Sequence, residues 1–211
     1  MVDYAVVPER LALLNVDLQE VFVEGTPIAA IDGLAVVERV NRLAAVCRAA
    51  GILVVHTAHV TRPDGSNVGV LGEIFPPVRD GMIARGSKGA ALHRALRVEA
   101  SDLILEKPRY GAFHATDLEL ILHQRGIDTV IVTGIATNVC VDTTAREAVV
   151  RDFRVFFASD GTGTNVMGGV AADDLARATL ATMAFGFAKV VTVDEMIKSI
   201  GEARAATGRR T

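Results

Sequence analysis

The feature that most constrains this chain is a regular exchange between short apolar runs and longer segments with helical spacing. The runs are "LALLNV" (11–16), "ILVVHTAHV" (52–60), "DLILEK" (102–107), "DTVIVTG" (128–134), "RVFFASDG" (154–161) and "KVVTV" (189–193). Their length and β-branched content predict strands. Between them, "LAVVERVNRLAAVCRAAG" (34–51) has apolar residues at helical spacing and a glycine where a helix should stop. In "ATDLELILHQRG" (115–126), Thr116 and Glu119 have capping-box spacing. Helices are also predicted over "VCVDTTAREAVVRD" (139–152), "AADDLARATLATMAFG" (171–186) and the C-terminal segment, with a short one around "ALHRAL" (91–96).

Six successive β/α units predict an α/β fold with three layers, helices covering both faces of a six-stranded, mostly parallel sheet. Half of the 211 residues are hydrophobic, as strands buried on both faces require. No linker, repeat or low-complexity tract interrupts the pattern, so residues 1–211 read as one domain. A net charge of −3 gives no electrostatic reason to expect nucleic acid or an anionic membrane as partner. The first residues, "MVDYAVVPERLALLNVD", have neither a basic region nor an apolar run of membrane length, which predicts a soluble, cytoplasmic protein. Two cysteines, Cys47 and Cys140, make neither a disulfide framework nor a metal-ligand spacing, in keeping with a reducing compartment.

In open parallel sheets, ligands bind at the carboxyl ends of the strands. Three polar residues stand at such ends: Asp17 after the first strand, Lys107 at the end of the third, and Cys140 six residues beyond Gly134, where the fourth strand hands over to a helix. If the three converge, the chemistry is coherent. A helix N-terminus and a neighbouring lysine lower a thiol pKa, and a carboxylate can take the thiol proton and return it to a leaving amine. Each residue also has an ordinary reading: a turn aspartate, a solvated lysine beside Pro108, a small core cysteine. Spacing alone leaves both readings open.

The segments "LALLNVDLQ", "EKPRYGAFHATDLELIL" and "VTGIATNVCVDTTAREA" resemble the isochorismatase-like cysteine hydrolases over roughly residues 10–195. The resemblance implies a Rossmann-like three-layer fold and an Asp–Lys–Cys triad carried onto Asp17, Lys107 and Cys140. It further implies a non-proline cis peptide at Ile135–Ala136, with the N–H groups of Ala136 and Cys140 holding an oxyanion. Relatives often form dimers or tetramers, so a homo-oligomer is expected. Cys47 lacks comparable neighbours and reads as a core or surface thiol.

Within the family, ether-cleaving isochorismatases do not rely on a cysteine at this place, so Cys140 argues for acyl transfer at a C–N bond. Nicotinamidases carry an Asp-x-His and a further histidine for a metal. Here the corresponding stretch is His59-Val60-Thr61, and His56 and His59 should face opposite sides of a strand. No metal and no cofactor are predicted; His93, His114 and His123 read as surface or helix-cap residues. The expected substrate is a small amide or ureido compound, by resemblance to the ureidoacrylate, biuret and N-carbamoylsarcosine amidohydrolases. Arg109 is a candidate carboxylate clamp through its bidentate fork. Phe22, Tyr110 and Phe113 are candidate pocket walls, and Asn138 a substrate contact or a loop brace. The glycine-rich "GTGTNVMGG" (161–169) reads as a loop, with Thr162 and Thr164 near the site, and apolar "GVLGEIFPPV" (69–78) as a lid or subunit contact. The alternatives are an ether hydrolase, a nicotinamidase-like amidase, or a non-catalytic assembly module on the same fold.

Overall fold

A computed structural model describes residues 4–207. Its strands are β1 (Leu11–Val16), β2 (Leu53–His59), β3 (Leu103–Lys107), β4 (Thr129–Ile135), β5 (Arg154–Gly163) and β6 (Lys189–Val191). They form one sheet in the order β3-β2-β1-β4-β5-β6. Every pairing is parallel, so each connection must cross back over a face of the sheet, and helices occupy those crossings. The chain runs outward from β1 to β3 and then returns to β4 beside β1. This reversal opens the crevice in which such sheets bind ligands.

Strand β1 shows how the layers arise, since all six of its residues are buried. Leu11 and Leu13 pack with Leu43, Ala44 and Cys47 of α2 (Gly33–Ala49) and Met196 and Ile200 of α8 (Val193–Thr207). Ala12, Leu14 and Val16 turn to the other face, against α5 (Leu118–Gln124), α6 (Asp142–Val149) and α7 (Ala172–Gly186). With both faces covered, truncating Leu14 to alanine is expected to cost about 2–5 kcal/mol. Helix α2 ends at Ala49, and Gly51, at φ 72°, makes the left-handed turn into β2. The short α1 (Glu20–Val23) follows β1.

Three local expectations are corrected. Residues 91–96 form no helix: Leu92 bridges to Gln19 and the His93 N–H donates to the Leu18 carbonyl, so these backbone groups serve the exit of β1 instead. The capping box at Thr116 and Glu119 is not made. Ala115, at φ 56°, turns the chain, Thr116 Oγ1 donates to the Ala112 carbonyl at 2.6 Å, and α5 begins at Leu118 while Glu119 pairs with Arg151. The helix expected from residue 139 opens with a π-helical turn, Thr137–Val141. The excursion after β2 contains α3 (Leu71–Ile74) and α4 (Pro76–Arg79). At the C-terminus α8 runs to Thr207, and the rest of the tail lies outside the described residues. Among the described residues, no helix is long and apolar enough to cross a membrane.

Candidate active site

The ends of β1, β3 and β4 meet at one place. Asp17 follows β1 at φ 53°, a left-handed conformation that costs an aspartate on the order of 1 kcal/mol. Its surroundings enforce it. The Asp17 N–H donates to the Thr57 carbonyl at 3.2 Å, Oδ1 accepts from Thr57 Oγ1 at 2.7 Å, and Oδ2 lies 2.7 Å from Lys107 Nζ. Lys107 also donates to the carbonyls of Arg109 and Tyr110, both at 2.8 Å, so its ammonium is hydrogen-bonded twice while its charge is paired with Asp17. Both side chains are fully buried, which makes the ion pair strong and its disruption costly.

Cys140 is placed by the turn that follows β4. Gly134 stands at φ 117°, and a Cβ there would come within 2.0 Å of the Val16 carbonyl oxygen, so only glycine lets β4 close against β1 at this point. The Ile135–Ala136 peptide is cis. The Ala136 carbonyl accepts from the N–H groups of Val139 and Val141, and its own N–H faces the Cys140 sulfur. Thr144 Oγ1 braces the turn by donating to the Cys140 carbonyl at 2.7 Å.

The Cys140 sulfur, a carboxylate oxygen of Asp17 and a ring nitrogen of His59 lie within 4.8 Å of one another. Burial pushes the Cys140 thiol well above its usual range; Lys107 opposes this, and Asp17 adds to it. The lysine lowers the thiol pKa as expected, but burial outweighs it, and the resting group is a neutral thiol beside a carboxylate.

His59, at the end of β2, is a site residue that the sequence reading passed over. Its backbone is clamped by Gln19, whose Oε1 accepts from the His59 N–H at 2.7 Å and whose Nε2 donates to the His59 carbonyl at 3.1 Å. Burial, then the Lys107 charge, lowers its pKa to about 4, so the imidazole is neutral near pH 7. Its Nε2 is buried with no hydrogen-bond partner. Thr57, which holds Asp17, was missed as well. The two stand two apart on β2, hence on one face, and the position of β2 beside β1 is the signal that would have found them. His56 points to the other face, where Nδ1 lies 3.3 Å from Asn15 Nδ2 and Nε2 lies 3.0 Å from Asp102, which Arg48 also grips. His93 is buried, 3.2 Å from Glu24, contrary to the surface position expected of it.

Asp17, His59 and Cys140 are donor types that bind zinc. They fit a cation poorly, because a divalent ion at Asp17 would face the Lys107 ammonium 2.7 Å from that carboxylate. The same charges suit proton transfer.

Above these residues lies a pocket of about 310 Å³. Leu71, Ile74, Phe75 and Val78, on and around α3 and α4, form its roof, so the apolar 69–78 segment covers the site of its own chain. Phe22 and Tyr110, the candidate walls, line it together with Ala136, and Met167 of the glycine-rich loop joins them. Three candidates are elsewhere. The Arg109 guanidinium donates to the carbonyls of Asn67 and Pro108, which holds it in the loop and away from the pocket. Phe113 is buried in the core against Phe153. Asn138 accepts from Thr164 Oγ1 at 2.5 Å and lies 3.4 Å from the Met167 sulfur, so it braces two loops. Thr162 donates to the Ser159 carbonyl within its own strand.

A family model described as the isochorismatase domain matches residues 11–195, and the chain belongs to that family. It is 36% identical over 161 residues to nicotinamidase 3 of Arabidopsis thaliana, covering 74% of each chain. It is 35% identical over 182 residues to the ureidoacrylate amidohydrolase RutB of Methylorubrum extorquens, covering 80% of this chain and 72% of that one. Among solved structures, a cysteine hydrolase from Pseudomonas syringae pv. phaseolicola 1448A matches with a TM-score of 0.91 at 36% identity, covering 96% of this chain and 97% of that one.

Proposed function

We propose that Cys140 is the nucleophile of a reaction that hydrolyses an amide or carbamoyl C–N bond in a small molecule. The chain is an amidohydrolase acting on non-peptide C–N bonds, a class to which its amidase relatives belong. The observation that carries the cysteine reading is the meeting of the Cys140 thiol, the Asp17 carboxylate and the Lys107 ammonium beneath one pocket.

In this reading Cys140 Sγ attacks the carbonyl carbon as its proton passes to Asp17. Lys107 holds Asp17 in place and offsets the charge that develops on sulfur. The N–H groups of Ala136 and Cys140 receive the oxyanion. Asp17 then gives its proton to the leaving nitrogen, the C–N bond breaks, and ammonia or an amine departs. Water attacks the resulting thioester or thiocarbamate with Asp17 as base, which regenerates the thiol. The high resting thiol pKa suits this sequence, because deprotonation is then coupled to attack on a bound substrate.

The reading extends to a cytoplasmic setting, consistent with two free, buried thiols. It also includes assembly as a homo-oligomer, supported by the exposure of Phe185 on α7, 94% accessible in the single chain. Ammonia release from ureidoacrylate, maleamate, nicotinamide and simple aliphatic amides, with wild type and Cys140→Ser, is the test. Release by wild type from at least one of these, and its loss by at least about a hundredfold in the variant, is expected. Hydrolysis by Cys140→Ser at the wild-type rate would sink the scheme.

A further inference from the structure

The walls of the pocket over Cys140 offer no side-chain charge to pair with an ionised substrate group. Among the described residues no lysine, arginine, aspartate or glutamate lines it; its polar side chains are those of His59, Tyr110 and Cys140. The nearby cations are committed elsewhere. Lys107 is ion-paired with Asp17 and donates to two carbonyls, and Arg109 donates to the carbonyls of Asn67 and Pro108. Transferring a carboxylate into such a site forfeits its hydration with no ion pair in return.

His59 adds a second constraint. The imidazole is neutral near pH 7, and its Nε2 is buried without a hydrogen-bond partner. A neutral ring that donates from Nδ1 presents Nε2 as an acceptor. An unpartnered buried acceptor on a residue that lines the pocket calls for an N–H on the ligand.

We infer that the pocket takes an uncharged primary carboxamide with a compact hydrocarbon acyl group, and that His59 Nε2 receives an N–H of the scissile amide. The inference rests on the amidohydrolase reading above and narrows it, because ureido acids and other anionic amides are then excluded. The reaction balances as amide plus water giving carboxylic acid plus ammonia. At neutral pH the acid ionises to a carboxylate, which the same apolar walls disfavour, so product leaves without competing strongly with substrate. His59 is a residue that touches the substrate, and its neutral state matters only because an imidazolium would have no acceptor to offer.

The test compares hexanamide with adipamate, the same chain ending in a carboxylate. A kcat/KM at least about 100-fold higher for hexanamide is expected; a ratio below about 3, or one favouring the anion, overturns the inference while leaving Cys140 catalysis standing. A second measurement needs no turnover: the rate of Cys140 alkylation by iodoacetamide against iodoacetate, located by peptide mass spectrometry and referred to free cysteine. Discrimination at least tenfold beyond that of free cysteine supports an uncharged pocket, and discrimination equal to it overturns one. If alkylation discriminates and neither amide is hydrolysed, charge exclusion holds and the amide-hydrolase reading is what fails. His59→Leu should lower kcat/KM for hexanamide by roughly 5- to 100-fold, with His59→Asn recovering part of it through its carbonyl acceptor. An unchanged kcat/KM in a folded His59→Leu variant would remove His59 from the role.

Discussion

Replacing Lys107 with methionine keeps most of the volume of the side chain and removes its charge, which isolates the buried ion pair. At the 2.7 Å separation of Lys107 Nζ and Asp17 Oδ2, and with an effective dielectric near 20, the gross attraction is about 6 kcal/mol. Part of that repays the desolvation of two fully buried groups, so the loss on removing one partner should fall at about 3–5 kcal/mol. The carbonyls of Arg109 and Tyr110 lose their donor as well, which adds to the same figure. Against a typical domain stability of about 5–15 kcal/mol, the variant should remain folded but lose a large share of its margin. Urea unfolding followed by far-ultraviolet circular dichroism at pH 7 measures this, with an unchanged m-value as the check that the denatured state is the same. Adding Asp17→Asn to Lys107→Met should recover at least about 2 kcal/mol, because the unpaired carboxylate is then gone. A cost below about 1 kcal/mol for Lys107→Met, or further destabilisation on adding Asp17→Asn, would refute the account of the pair.

Other outcomes follow from the same geometry. Because burial raises the Cys140 thiol above its usual range, alkylation by iodoacetamide should still be climbing at pH 9, and Lys107→Met should slow it further; a plateau below pH 8 would contradict this. His59 has its folded pKa depressed to about 4 from 6.5, so the folded state binds fewer protons than the unfolded state between those values. Its stabilising contribution is complete above pH 6.5 and is lost as pH falls through 4, a change on the order of 3 kcal/mol. Urea midpoints between pH 7 and 4.5 should therefore fall further in wild type than in His59→Asn, and parallel curves would show that the imidazole is not buried neutral. Asp102→Asn removes the carboxylate that Arg48 and His56 share and should cost about 3 kcal/mol by urea unfolding, with Cys140 alkylation unchanged. A change in alkylation would show that this network reaches Cys140.

The alternation of apolar runs located all six strands to within a residue or two at most ends, because parallel strands buried on both faces leave a continuous hydrophobic signature. Strand ends in such a sheet share one edge, which singled out Asp17, Lys107 and Cys140 as candidates, but spacing left their ordinary readings open and the triad came from the resemblance. What failed depended on contacts distant in sequence. Residues 91–96 have helical composition, yet their backbone groups are taken by Leu18 and Gln19. Thr116 has capping chemistry, but its hydroxyl found the Ala112 carbonyl first. Arg109 and Phe113 flank Tyr110 in sequence, and only Tyr110 reaches the pocket, since neighbouring loop residues point in different directions. His59 was passed over because it was weighed as a partner for His56 rather than for the ends of β1 and β4. The direction of the Cys140 shift also needed the structure, since burial is a property of everything packed around the sulfur.

The roof of the pocket is contributed mainly by one continuous stretch between β2 and β3, whereas Asp17, Lys107 and Cys140 sit at the ends of the sheet beneath it. The roof and the sheet-end residues therefore lie in different parts of the chain, although His59, Phe22 and Tyr110 also face the pocket. Drift in the length or composition of that stretch can retarget the enzyme while the acid, the lysine and the thiol stay where the sheet holds them. One scaffold can in this way supply many amide-cleaving activities, and grafting a roof segment from one member onto another is a practical route to redesign.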